Sequence, residues 1–74
     1  MTEKEWREQF SRKLYELLNE HNMSQRELSR ATGISNASVS RYLSGFRTPN
    51  GYVISKICEY FNLPHDYFST YTEG

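Results

Sequence analysis

The run Ser24-Gln25-Arg26-Glu27-Leu28-Ser29-Arg30-Ala31-Thr32-Gly33-Ile34-Ser35-Asn36-Ala37-Ser38-Val39-Ser40-Arg41-Tyr42-Leu43-Ser44-Gly45 decides the fold. It opens on Ser24 and Glu27, the S-x-x-E capping box in which the hydroxyl takes one orphan amide and the carboxylate reaches back to another. A short helix is predicted there, carrying Leu28 and Ala31 inward. It stops at Gly33, the residue best able to take the left-handed conformation that follows a helix end. Ile34 then offers an apolar side chain inside the turn. Ser35 can cap a second segment, Asn36 to Ser44, which Gly45 closes. Two short helices meeting at a tight turn, residues 24–45, form the centre of the chain.

Outward from that unit the pattern stays helical. On the N-terminal side Trp6, Phe10, Leu14, Leu17 and Leu18 fall on one helical stripe, so a helix is predicted from Thr2 or Glu5 to His21, ended by His21-Asn22. On the C-terminal side Phe46-Arg47-Thr48-Pro49-Asn50 reads as a loop, with Pro49 forbidding continuation and Asn50 able to cap the next helix. Val53, Ile54, Ile57, Cys58 and Phe61 recur at helical spacing. The β-branched residues near Val53 fail the alternation a strand requires. Asn62-Leu63-Pro64 breaks that helix, and Pro64 followed by Asp66 favours a brief fifth helix carrying Tyr67 and Phe68. The expected class is all-α: a compact five-helix bundle, one domain over residues 1–74.

Composition narrows the function. A chain of 74 residues is one domain at most and has a small core. No apolar run approaches the roughly 18 residues that cross a bilayer, and Met1-Thr2-Glu3-Lys4-Glu5-Trp6 lacks the layout of a signal peptide, so a cytoplasmic location is expected. The one cysteine, Cys58, has no disulfide partner and no zinc-ligand spacing to His21 or His65; it is read as a small buried hydrophobe. His21 suits a helix end and His65 a first-turn surface position. No elbow motif joins the Ser, His and Asp residues into a hydrolytic triad, and no enzyme activity, metal or cofactor is expected.

Net charge is zero, which is unpromising for a partner bound through phosphates, but the charge is segregated. Residues 24–56 hold Arg26, Arg30, Arg41, Arg47 and Lys56 against Glu27 alone, while residues 57–74 hold Glu59, Asp66 and Glu73 with no base. A basic middle with acidic ends suits one face on nucleic acid.

From Gln25 to Ser44 the spacing resembles the phage-repressor and Cro-like (XRE-type) helix-turn-helix family. Counted from Gln25, that pattern asks for apolar residues at four, ten, fifteen and eighteen, a small residue at five and Gly at nine. Leu28, Ile34, Val39, Tyr42, Ser29 and Gly33 meet it. Ser29 stands where Ala is commoner, and Tyr42 where a branched aliphatic is usual. The likeness continues through Leu43-Ser44-Gly45, Arg47-Thr48-Pro49 and the apolar helix ending Asn62-Leu63-Pro64.

The resemblance implies a lambda-repressor-like domain whose second motif helix enters the major groove of duplex DNA. A groove that admits one α-helix suits an outer face of Ser35, Asn36, Ala37, Ser38, Ser40, Arg41 and Ser44. It implies base contacts from Asn36 to adenine, Arg41 to guanine and Ala37 to a thymine methyl. Gln25 would bond phosphate and brace the recognition side chain. Phosphate contacts are implied for Ser35, Ser38, Ser44, Arg47, Thr48 and Asn50, with Tyr52 a further candidate. Arg26 and Arg30 are read as facing solvent. The implied activity is a transcriptional repressor acting by occupancy of a near-palindromic operator. A homodimer would place two recognition helices about 34 Å apart, joined through Tyr60, Tyr67, Phe68 and Tyr71. Two other readings stand beside it: an antitoxin or regulatory subunit that uses the acidic aromatic tail to bind a protein, and a small enzyme, which no constellation supports.

Overall fold

A computed structural model describes residues 2–68. Four helices follow one another: α1 (Glu3–Glu20), α2 (Gln25–Thr32), α3 (Asn36–Leu43) and α4 (Gly51–Phe61). No strand occurs among the described residues.

Each helix starts on a side chain that replaces a missing intrahelical partner. Thr2, Ser24, Ser35 and Asn50 are the N-caps, accepting from the amides of Glu5, Glu27, Ser38 and Val53. For α1 and α2 the box is complete, because Glu5 and Glu27 accept in return from the Thr2 and Ser24 amides at 3.0 Å each. The box on Ser24 is the one the sequence pattern predicts; the box on Thr2 is found only in the structure. The helix ends need left-handed backbone, supplied by Gly33 and Gly45 at φ 78° and by Asn22 and Asn62 at φ 50° and 56°.

The core gathers the apolar stripes of the helices. Trp6, Phe10, Leu14, Leu17 and Leu18 of α1 are buried with Leu28, Ile34, Val39, Tyr42, Val53, Ile57, Cys58 and Phe68. Phe10 is its aromatic hub: its ring lies 5.6 Å from that of Trp6, 6.1 Å edge-on from Tyr42 and 4.7 Å from Phe68. Tyr42, where the resemblance leads to an aliphatic being expected, is buried and completes that cluster. Cys58 is buried and free, and its thiol is pushed up from its ordinary value by burial, with the Asp66 carboxylate adding to the effect.

Three expectations are corrected. Ala31 is exposed and Thr32 is buried, since on a helix of two turns the inward arc from Leu28 passes through the residue four places on. The Thr32 hydroxyl donates to the Leu28 carbonyl at 2.7 Å and accepts from the Ile34 amide at 3.3 Å, so its burial leaves no orphan. The fifth helix is not formed among the described residues: 65–68 is a turn in which the Tyr67 amide donates to the Pro64 carbonyl at 3.0 Å. That turn suffices to drop Phe68 onto Phe10. Phe68 is therefore 2% exposed and offers no dimer surface, and Tyr71 lies outside the described residues.

Gly33→Ala should cost about 1–2 kcal/mol, from backbone strain alone. A Cβ there meets nothing within 4 Å. Urea unfolding followed by circular dichroism measures it. The Glu5 and Glu27 carboxyls sit below their ordinary 4.5, chiefly through the amides of Thr2 and Ser24 and then through the hydroxyls. A folded value below the unfolded one means the stabilisation is present above the ordinary value and lost as pH falls through the depressed one. An acid titration should show helical signal lost below about pH 4.5, and a flatter curve for Glu5→Gln with Glu27→Gln.

Candidate nucleic-acid interface

The turn between α2 and α3 spans Gly33 to Ser35, too short to let the two helices move independently. Ser29 tightens it, its hydroxyl donating to the Ile34 carbonyl at 2.6 Å. At the crossing this hydroxyl does more than a methyl group could: it satisfies a turn carbonyl that would otherwise be partly buried without a partner.

Gln25, first residue of α2, reaches across to the first residue of α3. Its Nε2 donates to the Asn36 side-chain Oδ1 at 3.1 Å and to the Asn36 carbonyl at 3.3 Å. Gln25 therefore ties the start of α2 to the start of α3. It fixes the flip of the Asn36 amide, because Oδ1 faces Gln25 and Nδ2, with its two donors, is turned the other way. One lone pair on Oδ1 stays available, so Asn36 keeps the donor and acceptor that bidentate recognition of adenine requires.

A second group converges on Ser38. The Ser35 hydroxyl donates to Ser38 Oγ at 2.9 Å and Arg47 Nη1 donates to it at 3.2 Å, across the α3–α4 loop. Both Ser38 lone pairs are then engaged and its own proton is left to donate outward. Together the guanidinium and the polarised hydroxyl form a compact donor group of the kind that takes a phosphate oxygen.

The face these residues share is open. Asn36, Ala37, Ser40, Arg41 and Ser44 are exposed, while Val39 and Tyr42 on the opposite side are buried. Ser35 and Arg47 are also exposed, Gln25, Ser38 and Thr48 are half-buried, and Asn50 is exposed with its Oδ1 accepting from Val53 as a cap. Among the described residues, nothing buries the polar side of α3 at Asn36, Ala37, Ser40, Arg41 and Ser44. Arg26 and Arg30 are exposed on α2.

Sequence reasoning passed over two features here. Phe46, read only as loop, is 83% exposed beside Arg47. Its amide is nonetheless pinned to the Arg41 carbonyl at 3.0 Å. Arg7 and Ser11 of α1 also reach the end of α3, donating to the Gly45 and Leu43 carbonyls. Their spacing of four, beside the apolar stripe of α1, was the available signal.

No three His, Cys, Asp or Glu side chains cluster as a metal site would require among the described residues. No helix there is long and apolar enough to cross a membrane.

Replacing Ser35 by Ala removes the cap of α3 and the donor to Ser38. It should lower unfolding free energy by about 1 kcal/mol in urea denaturation. A change indistinguishable from zero would show that the cap carries no weight.

The family model described as helix-turn-helix matches residues 14–68. No curated protein and no solved structure matches the chain significantly.

Proposed function

This chain belongs to the helix-turn-helix family, of the Cro and C1 repressor type, and on that premise we propose that it recognises a specific duplex operator by seating α3 in the major groove. The family is one of DNA-binding transcription regulators. The finer reading is a cytoplasmic repressor whose domain, residues 1–74, acts by occupying its site.

The observation that carries the proposal is the division of α3 into two sides. Val39 and Tyr42 hold the helix to the core while a row of short polar side chains and one arginine stands clear. A solvated surface helix needs no brace on its first side chain, but Gln25 supplies one to Asn36. Asn36, Ala37 and Arg41 read base edges, with Ser40 between them on the open face. Gln25, Ser35, Ser38, Ser44, Arg47, Thr48 and Asn50 position the helix on the sugar-phosphate backbone. Neutralisation by Arg47 and its basic neighbours supplies the sequence-independent part of the affinity.

Two copies on a near-palindromic site would place their α3 helices about one helical turn, ~34 Å, apart. Tyr60, 49% exposed and edge-on against Phe61, and the half-buried Tyr67 are the aromatics that such a homodimer would use.

Selection of duplexes from a random pool, followed by titration at two salt concentrations, tests this. Asn36→Ala with Arg41→Ala should erase most of the preference for the selected duplex, each contact being worth about 1–3 kcal/mol. Arg47→Ala should weaken all duplexes alike and lower the salt slope by about one. Retention of sequence preference in the Asn36, Arg41 double variant would overturn the assignment.

A further inference from the structure

The last carbonyls of α3 are satisfied in two different ways. The turn after the helix folds back on it: the Ser44 amide donates to Ser40 at 3.0 Å, Gly45 to Tyr42 at 3.2 Å and Phe46 to Arg41 at 3.0 Å. Such a glycine-centred ending serves the second and third carbonyls from the end and leaves the last one, that of Leu43, without a backbone donor. Ser11, from the middle of α1, supplies it with a hydroxyl proton. One turn earlier on α1, Arg7 Nε donates to the Gly45 carbonyl at 3.2 Å, its guanidinium steadied by Glu3 at 2.7 Å. Both bonds are partly buried and join residues 32 and 38 positions apart.

To the burial of Trp6 and Phe10, on the adjoining stripe of α1, these contacts add bonds that depend on angle as well as distance. What they fix is direction. The N-terminal end of α3 is tied by Gln25, and its C-terminal end is tied by Ser11 and Arg7. A two-turn helix held at both ends has one inclination. Arg41, whose carbonyl anchors the Phe46 amide, and Arg47 after it are carried with that end. Side-chain recognition tolerates displacements of only about 0.5 Å.

We propose that Arg7 and Ser11 are positioning residues for DNA reading, setting where the C-terminal half of α3 meets the duplex by holding the carbonyls of Leu43 and Gly45. The inference rests on the operator reading above. Both residues precede the segment matched by the family model, so membership of the family does not supply it.

The test compares affinities for the duplex selected from the random pool and for a scrambled duplex of the same composition, at one salt concentration. Arg7→Gln with Ser11→Ala should reduce the ratio of the two by about tenfold or more, the scale of one misaligned base contact, while binding to the scrambled duplex stays put. Ser11→Thr, which keeps the hydroxyl, should hold the wild-type ratio within about twofold. Thr2→Ala destabilises α1 at its cap, where its bonds close on Glu5, and should also keep the ratio. If the double variant loses its helical signal at the assay temperature, Ser11→Ala alone carries the comparison. An unchanged ratio in the braceless variants, or an equal loss in Thr2→Ala, overturns the inference and leaves the operator reading intact. A wild-type chain that prefers no duplex overturns both.

Discussion

Burial of Val39 and Tyr42 in the core leaves α3 a single orientation, and everything the protein can do depends on the side that remains. Tyr42 meets Phe10 edge-on, and Phe10 is itself wedged between Trp6 and Phe68. Rotating α3 by a third of a turn would expose those rings and bury Asn36 or Arg41, whose amide and guanidinium would lose water without gaining partners. The apolar anchor therefore determines which residues are presented, at a cost to any alternative that a chain with so small a core could not sustain.

Polar bonds then refine what the core has set. Ser29 on the turn carbonyl, Gln25 on Asn36, Arg47 on Ser38, and Ser11 and Arg7 at the end of α3 each tie α3 or its flanking turns to a neighbouring segment. Individually such bonds stabilise by only about 0.5–1.5 kcal/mol. Their directionality, which the hydrophobic effect lacks, converts a generally oriented helix into one whose side chains stand at defined angles.

The helices and their order were legible because periodicity and caps are local properties. The stripe Trp6, Phe10, Leu14, Leu17, Leu18 and the Ser24–Glu27 box needed no knowledge of tertiary structure, and all five stripe residues are buried. Misses arose where the third dimension decides. Ala31 and Thr32 differ by one position on a helix too short for its period to declare itself. Pro64 and Asp66 signal a helix start, but the turn they open is used up in placing Phe68 on Phe10. Of the candidate site, the open face of α3 was visible in its composition, as was the Gln25 brace through the family resemblance. The spacing of Arg7 and Ser11 puts them on one face of α1 but does not name the carbonyls 38 and 32 positions away that they reach, and the relay through Ser38 needs Arg47 brought back by the α3–α4 loop.

Amide chemical-shift mapping of the isotope-labelled chain against its selected duplex tests the central claim most directly. If α3 occupies the groove with Val39 and Tyr42 still holding it to the core, the amides of Gln25, Ser35 to Ser44 and Arg47 shift on binding while those of Phe10 and Leu14 stay fixed. Shifts centred instead on Tyr15, Tyr52 or Tyr60, with the amides of Asn36 and Arg41 unmoved, would contradict it.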